Sequence, residues 1–554
     1  MQRSIRRLVL FLAAAVPLAA LVPLSTASSG AASSANAASA AGFSGPSACS
    51  QTLPITAPPG ARVESVTAVQ QSGGTLTFPA QPPLPAPPPV TGVPAYCEIT
   101  VTLNHPGVDD HARVKVWAPV EGWNGRFQGA GGSGYSAGDF GVPLAEGVKK
   151  GYAVGSTDAG VTLSFIDVSA WALTPDGRVN QPLLENFASR SVHDLAVVGK
   201  AVTKAYYGRA ASYSYWNGCS TGGRQGYLEA QRYPDDFDGI LAAAPAVNWS
   251  KWAVAAQWPN VVMNQEHNVL SKCEFDAFNA AAVEACDRLD GVADGIIGRP
   301  LDCTWDPARL IGKKIVCDGK ELTISTADAT VVRRIWQGPV SPSGQKLWYG
   351  LTRGSDFGGL AATLPGPDGS SVAYTFPISN TWIQTFLKEQ PAFDTSKITY
   401  SEFAKLFRQS EAEYTALIGS DDPDLSGFRK AGGKLLSWHG LADQLIFPQG
   451  TINYRQRVDR VLGGTERVDD FYRLFLAPGV AHCQSGIGPA PTDPLAALVK
   501  WVEEGKAPAT LPASMTRADG QVVTSNLCRY PQVSQYLGHG DPAAAGSYRC
   551  IRHG

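Results

Sequence analysis

A serine, an aspartate and a histidine, in that chain order, can carry out nucleophilic acyl transfer once folding brings them together. The serine oxygen attacks, the histidine takes its proton, and the carboxylate fixes the imidazole tautomer. Ser220, Asp443 and His482 have the surroundings those roles need. Ser220 lies in Gly218-Cys219-Ser220-Thr221-Gly222, a G-x-S-x-G pattern. There a side chain at either glycine would crowd a sharp strand-to-helix turn that lifts the hydroxyl out of the backbone. Asp443 follows the apolar run Lys434-Leu435-Leu436-Ser437-Trp438-His439-Gly440. His482 follows Phe471-Tyr472-Arg473-Leu474-Phe475-Leu476 and the loop Ala477-Pro478-Gly479-Val480-Ala481. Both are expected on loops at strand ends, where α/β sheets place reactive groups.

Two cysteines sharpen the assignment. Cys219 precedes Ser220 and Cys483 follows His482. If these two are bonded, their Cα atoms stand about 4.4–6.8 Å apart and Ser220 and His482 are drawn into one site. The 10 cysteines fit an oxidising compartment. Cys49 and Cys97 stand alone near the start, and Cys528 and Cys550 near the end. Cys273, Cys286, Cys303 and Cys317 cluster in the middle, so Cys219 and Cys483 are left for each other. No pair has zinc-knuckle spacing. Among the other histidines, His439 reads as a core residue or a support behind Asp443, and His193 as a packing or capping residue. His267 falls in an inserted segment, while His105, His111, His539 and His553 read as peripheral.

The elements that must position the three residues are legible. Thr100 to Leu103, Arg113 to Ala118, Gly151 to Ser156, Tyr213 to Trp216 and Gly239 to Ala244 read as strands; Ser191 to Tyr207 and Gly223 to Arg232 read as helices. Strands alternating with helices predict an α/β fold with a mainly parallel sheet covered on both faces, and the order Ser, Asp, His is that of the α/β-hydrolases. A chain of 554 residues exceeds one ordinary domain. From residue 251 to 427 no triad candidate occurs, while tryptophan and cysteine stay frequent. We therefore expect 42–250 and 428–554 to be two parts of one α/β-hydrolase core, with 251–427 an inserted lid. Residues 1–41 read as a signal peptide and spacer: Arg3, Arg6 and Arg7 precede an apolar run broken by Pro17 and Pro23, followed by Ser25-Thr26-Ala27. Export through either the general or the twin-arginine route fits, and predicts a secreted protein. A net charge of −2 gives no electrostatic case for nucleic acid or an anionic membrane.

Two further clusters call for chemistry. Phe127-Gln128-Gly129-Ala130-Gly131-Gly132-Ser133-Gly134-Tyr135 is a glycine-rich stretch whose backbone amides can approach a developing oxyanion, and no lysine follows at phosphate-loop spacing. Asp287-Arg288-Leu289-Asp290-Gly291-Val292-Ala293-Asp294-Gly295-Ile296 sets three carboxylates in a tight loop flanked by Cys286 and Cys303, which can tie its ends. Calcium suits such a loop, because it takes several hard oxygen ligands, main-chain carbonyls included. The spacing departs from the EF-hand, and a solvated acidic turn is the alternative.

Together, Gly218-Cys219-Ser220-Thr221-Gly222-Gly223-Arg224-Gln225, Asp443 and His482-Cys483 resemble the tannase and feruloyl esterase family, whose signature is Cys-Ser, Asp and His-Cys with the two cysteines bonded. The resemblance runs from Ser47 to the C-terminus. It implies an α/β-hydrolase core with a large lid and hydrolysis of aromatic-acid esters: feruloyl first, with galloyl and terephthaloyl as the other classes. It implies Ser220 as nucleophile, His482 as base and Asp443 as its orienter, with the amides of Thr221 and of Gly131 or Gly132 as the oxyanion hole. It also implies lid calcium on Asp287, Asp290 and Asp294 with the carbonyls of Val292 and Ile296. Trp249, Trp382, Phe386 and Phe447 are candidate pocket walls, since flat rings stack on flat rings. The ester is expected to be a small aromatic one, free or attached to plant polysaccharide. A lipase with a more apolar lid and a non-catalytic carbohydrate-binding protein are the alternatives.

Overall fold

The computed structural model describes residues 49–552 except 83, 318 and 367–369. The expected leader, 1–41, and His553 lie outside the described residues.

A nine-stranded sheet organises the molecule. Its strands are β1 (Arg62–Gln71), β2 (Tyr96–Asn104), β3 (Ala112–Pro119), β4 (Arg126–Ala130), β5 (Ala153–Thr157), β6 (Tyr213–Cys219), β7 (Gly239–Ala243), β8 (Lys434–Gly440) and β9 (Tyr472–Ala477). The spatial order is β1-β2-β3-β5-β4-β6-β7-β8-β9. The β1–β2, β2–β3 and β3–β5 pairs are antiparallel, and every later pair is parallel. The parallel strands read as continuous apolar runs because both faces are covered. Tyr215, Leu241, Leu436 and Phe475 pack on one side with α1 (Val142–Lys149) and the Pro494–Glu504 helix. Their neighbours Trp216, Ile240, Leu435 and Leu474 face α2 (Ser191–Tyr207), α3 (Thr221–Arg232) and the Pro448–Leu462 helix. This is an α/β fold of the α/β-hydrolase kind.

The glycine-rich stretch is half strand. β4 takes Arg126 to Ala130, and only from Gly131 does the chain turn into a loop. A Cβ at Gly129 would stand 2.9 Å from the Trp216 ring and 3.0 Å from that of Phe237, so glycine is needed where these rings cross β4.

Between β7 and β8 the chain leaves the sheet and builds a second core rich in aromatic side chains, including Trp249, Trp258, Trp336, Trp382, Phe386 and Phe403. Tyr135, Trp171 and Phe187, which precede β6, join that second core. The helices Lys272–Cys286 and Thr326–Gln337 of this segment each begin with a capping box, Ser271 with Glu274 and Ser325 with Asp328. Five disulfides close the chain: Cys49–Cys97, Cys219–Cys483, Cys273–Cys317, Cys286–Cys303 and Cys528–Cys550. Among the described residues no helix is long and apolar enough to cross a membrane. One reading needs correction: His105 is buried, not peripheral, because Asp110 and Asp194 enclose it.

Candidate active site

Ser220 stands between β6 and α3 with φ 63° and ψ −121°, a left-handed conformation unusual for a residue with a side chain. Three backbone bonds hold it there. Its N–H donates to the Ala243 carbonyl at 3.1 Å, and its carbonyl accepts from Arg224 at 3.0 Å and Ala246 at 3.2 Å. The neighbouring glycines are required by space: a Cβ on Gly218 would lie 2.5 Å from Gly222, and one on Gly223 would lie 2.4 Å from the Ala243 oxygen. The strained turn leaves Ser220 half-buried at the C-terminal end of β6.

Asp443 is fully buried just past β8, and each of its oxygens is engaged. Oδ1 accepts the N–H groups of Leu445 and Ile446, both at 2.8 Å. Oδ2 accepts His482 Nδ1–H at 2.8 Å and His439 Nε2–H at 3.0 Å. Burial alone would push this carboxyl up; the charges and hydrogen bonds of His482 and His439 outweigh that and hold it well below the usual carboxylate range. His439 thus takes the supporting place expected of it, with Thr451 Oγ 2.8 Å from its Nδ1.

His482 has its Nδ1 edge on Asp443 and its N–H on Gln444 Oε1 at 3.0 Å, and its side chain is 13% exposed. The adjacent Cys483 is bonded to Cys219 with Cα atoms 6.1 Å apart. That bridge joins positions separated by 264 residues, worth about 5–6 kcal/mol if it acts mainly on the unfolded chain. It sets the residues beside Ser220 and His482 within one site. No Ser220–His482 hydrogen bond is present among the described residues; such contacts often tighten only around a bound substrate.

Around Ser220, the glycine loop packs on the first turn of α3. Thr221 Oγ donates to the Gly134 carbonyl at 2.7 Å, and the Gly222 N–H donates to the Gly132 carbonyl at 3.0 Å. The Gly131 N–H is spent on the Asn217 carbonyl at 3.1 Å, extending the β4–β6 ladder. The Gly132 N–H meets Gln225 Oε1 at 3.0 Å. The Thr221 and Gly134 amides, both in buried residues, have no acceptor among the described residues. Sequence alone passed over Gln444 and gave Gly134 and Gln225 no role of their own within the stretches that contain them, because glycine and glutamine carry no chemical signature until their partners are known.

Trp249, Trp382, Phe386 and Phe447 are at most 3% exposed. Trp249 and Trp382 pack edge to face at 6.0 Å, and Trp382 meets Phe386 at 4.8 Å. They are packed inside the second core and present no open face. The half-buried aromatic next to the glycine loop is Phe165: its carbonyl accepts the Tyr135 N–H at 3.0 Å, and a Cβ on Gly134 would meet its ring at 2.7 Å.

The acidic loop is closed by Cys286–Cys303. Asp287 accepts the N–H groups of Asp294 and Gly295 at 3.1 Å, Asp290 that of Val292 at 3.1 Å, and Asp294 that of Ile296 at 3.0 Å. Burial first, then the charges of Asp294 and Asp287, push the Asp290 carboxyl up to about 6; burial also raises Asp294. Hard oxygens with mutually repelling charges suit a calcium ion, which would relieve the repulsion. Among the described residues no three acidic, histidine or cysteine side chains form a ready cage, so such an ion would need main-chain carbonyls as well.

With this geometry in view, residues 97–551 match the family model "Tannase and feruloyl esterase". A probable feruloyl esterase of Arthroderma benhamiae is 48% identical over 500 residues, covering 89% of this chain and 92% of that protein. The chain belongs to the tannase and feruloyl esterase family. Feruloyl esterase B of Aspergillus niger is 30% identical over 477 residues, 81% of this chain and 86% of its own. Among solved structures, the tannin acyl hydrolase of Aspergillus niger matches with a TM-score of 0.80 at 26% identity, covering 89% of this chain and 92% of the other. As a tannase and feruloyl esterase family member, the protein is a carboxylic ester hydrolase acting on a small ester substrate.

Proposed function

We propose that this hydrolase is a secreted serine esterase of aromatic-acid esters, with hydroxycinnamoyl esters such as ferulate first and galloyl or terephthaloyl monoesters the other acyl classes. The observation that carries the catalytic reading is the Asp443–His482 bond beside a disulfide joining the neighbours of His482 and Ser220. Ser220 attacks the ester carbonyl as neutral His482 accepts its proton at Nε2, while Asp443 holds Nδ1–H and the tautomer. His482 then protonates the departing alcohol. Water repeats the sequence to release the acid. The oxyanion meets the Thr221 amide and a second amide of the glycine loop. Gly131 is the weaker choice, since its N–H belongs to the sheet, whereas Gly132 is held only by a side chain and Gly134 has no acceptor among the described residues.

Acyl preference rests on the names of the relatives and on Phe165, an aromatic face beside the glycine loop. A calcium ion on Asp287, Asp290 and Asp294 with the Val292 and Ile296 carbonyls would brace the lid as a structural charge, taking no part in the ester chemistry. The ester is a small aromatic one, free or attached to plant polysaccharide; in either case the same acyl group enters the site.

The test is turnover of methyl ferulate, methyl gallate, mono(2-hydroxyethyl) terephthalate and p-nitrophenyl palmitate by wild type and Ser220→Ala. Aromatic turnover abolished in the variant, with ferulate highest, is the expected result. Preference for palmitate would instead establish a lipase, and folded protein inert to all four and to a serine-directed phosphonate would leave a binding role.

A further inference from the structure

His482 is held at a second point besides its bond to Asp443. It begins a turn in which Cys483 and Gln484 take φ 52° and 85°, left-handed values that residues with side chains disfavour. The turn uses the His482 carbonyl, which accepts from Ser485 Oγ at 3.0 Å, and leaves the His482 N–H without a backbone acceptor among the described residues. That N–H donates to Gln444 Oε1 at 3.0 Å. Gln444 is half-buried and follows Asp443 directly. One short loop therefore supplies both the carboxylate that holds the His482 ring and the amide oxygen that holds its backbone.

The same loop hangs from the segment between β7 and β8. Three of its carbonyls accept hydrogen bonds from that segment: Leu441 from Thr352 Oγ at 2.6 Å, Gln444 from the Leu360 N–H at 3.2 Å, and Leu445 from Trp252 Nε1–H at 2.8 Å. The donors are rooted in the second core. Trp252, Phe357 and Leu360 are at most 3% exposed, and Phe357 stacks on Phe275 with ring centres 4.5 Å apart. The Ala361 N–H donates to the Phe357 carbonyl at 2.9 Å and closes the turn that presents Leu360. Gly359 lies in that turn, hard against Gln444: a Cβ there would stand 2.3 Å from the Gln444 carbonyl oxygen and 2.6 Å from its Cγ. The second core thus sets the backbone of Gln444, and the side chain of Gln444 sets the backbone of His482.

We propose that Gln444 is a positioning residue of the esterase, through which the segment between β7 and β8 aligns His482 for proton transfer. This rests on the serine-esterase reading above. A single bond at Nδ1 restrains the imidazole but not the backbone from which it projects. A shift of that backbone by a fraction of an ångström moves Nε2 relative to Ser220 and can leave the Asp443 bond intact. The cost then falls on the proton-transfer steps and not on substrate binding.

The experiment compares Gln444→Met, which keeps the side-chain length and loses the acceptor, with Gln444→Glu, which keeps an acceptor oxygen. Gly359→Ala presses on Gln444 from the second core and leaves its side chain unaltered. Methyl ferulate hydrolysis is measured at about pH 8, where the Glu carboxylate is ionised, with kcat normalised by phosphonate titration of active sites. Gln444→Met is expected to lower kcat about 20-fold, short of the hundredfold that a misplacement of a full ångström can cost, with KM nearly unchanged. Gln444→Glu should recover most of kcat. Gly359→Ala should reproduce the kcat loss, and the double variant with Gln444→Met should fall no further than the worse single, because both act through one contact. A rise in KM that accounts for the Gln444→Met loss overturns the proposal, since Gln444 would then be binding substrate. So does a Gln444→Glu protein as slow as Gln444→Met, and so does a double variant whose loss is the product of the singles. If Gly359→Ala does not fold, Gln444→Met and Gln444→Glu decide alone. Ser220→Ala, run alongside, separates the two readings: retained turnover there overturns the esterase site itself, whereas an inert variant leaves the Gln444 result to be judged alone.

Discussion

Of the histidines that face carboxylates in this protein, His482 and His105 have opposite fates. His482 puts one ring nitrogen on Asp443, keeps 13% of its side chain exposed and has Nε2 left for a proton. His105, in the turn after β2, has both nitrogens occupied: Nδ1 lies 2.5 Å from Asp110 and Nε2 lies 3.2 Å from Asp194 on α2. Asn186 donates to the same Asp110 oxygen at 2.6 Å, and the His105 N–H binds the other at 2.9 Å. The hydrogen bonds to Asp110 and then Asp194 push His105 up to about 9. One carboxylate and an open edge suit the proton carrier proposed for His482; two carboxylates and closure suit a fixed ion cluster.

Deleting each histidine should break the molecule in different ways. His482→Ala and Ser220→Ala are expected to lower kcat by about three to four orders of magnitude, with the thermal midpoint almost unmoved. Steady-state kinetics beside calorimetry will show this. A His482 variant that loses stability and activity together would put the two histidines in one class and undo the contrast.

The next largest effect concerns how His482 is held. Replacing Cys219 and Cys483 by serine removes the tether but keeps the Asp443 bond. We expect about a hundredfold fall in kcat, the size associated with small misplacement of reacting groups. Mild reduction of the wild type should abolish turnover before tryptophan fluorescence reports unfolding. Loss of both signals in step would reduce the bridge to a stabilising link.

The contrast between the histidines was only partly legible in the sequence. β8 and β9 stood out as apolar runs because parallel strands are buried on both faces, and Asp443 and His482 follow on the loops beyond them. β4 was hidden, since Gly129 there answers to the Trp216 and Phe237 rings and not to a strand preference. His105 read as peripheral because its partners come from Asp110, close in sequence, and from Asp194, which only the packing of α2 brings near. Burial is likewise invisible in a residue type: the composition that suggested aromatic pocket walls equally describes Trp249 and Trp382 sealed in the second core. The loop amides were legible as a group, but only hydrogen bonding tells Gly131, Gly132 and Gly134 apart.

His105→Gln should act on stability alone. Breaking a buried pair leaves Asp110 and Asp194 without their cation, at an expected cost of about 3–5 kcal/mol, with kcat per folded molecule unchanged. The pH dependence has a definite sign. His105 is raised from 6.5 to about 9 in the fold, so its contribution is full below pH 6.5 and is lost as pH rises through about 9. The wild-type thermal midpoint should therefore fall across that window, and the fall should be smaller in His105→Gln. Equal slopes would mean that His105 does not carry the charge in the folded protein.

The smallest effect belongs to His439, which lies between the two cases: fully buried like His105, yet bonded to the carboxylate that serves His482. Its Nε2–H also faces the Ile446 carbonyl at 3.2 Å, so this nitrogen carries the hydrogen and Nδ1 accepts from Thr451. His439→Gln can keep one donor on Asp443 but loses the bridge to Thr451. Asp443 would keep its two backbone donors and His482, so the imidazole should stay in the correct tautomer with a looser orientation. A fall in kcat of about tenfold at constant KM follows, the lower end of the range for lost support behind a functional ligand. A loss as large as that of His482→Ala would make His439 part of the proton-transfer unit, and the distinction would then lie in the carboxylate that two histidines share.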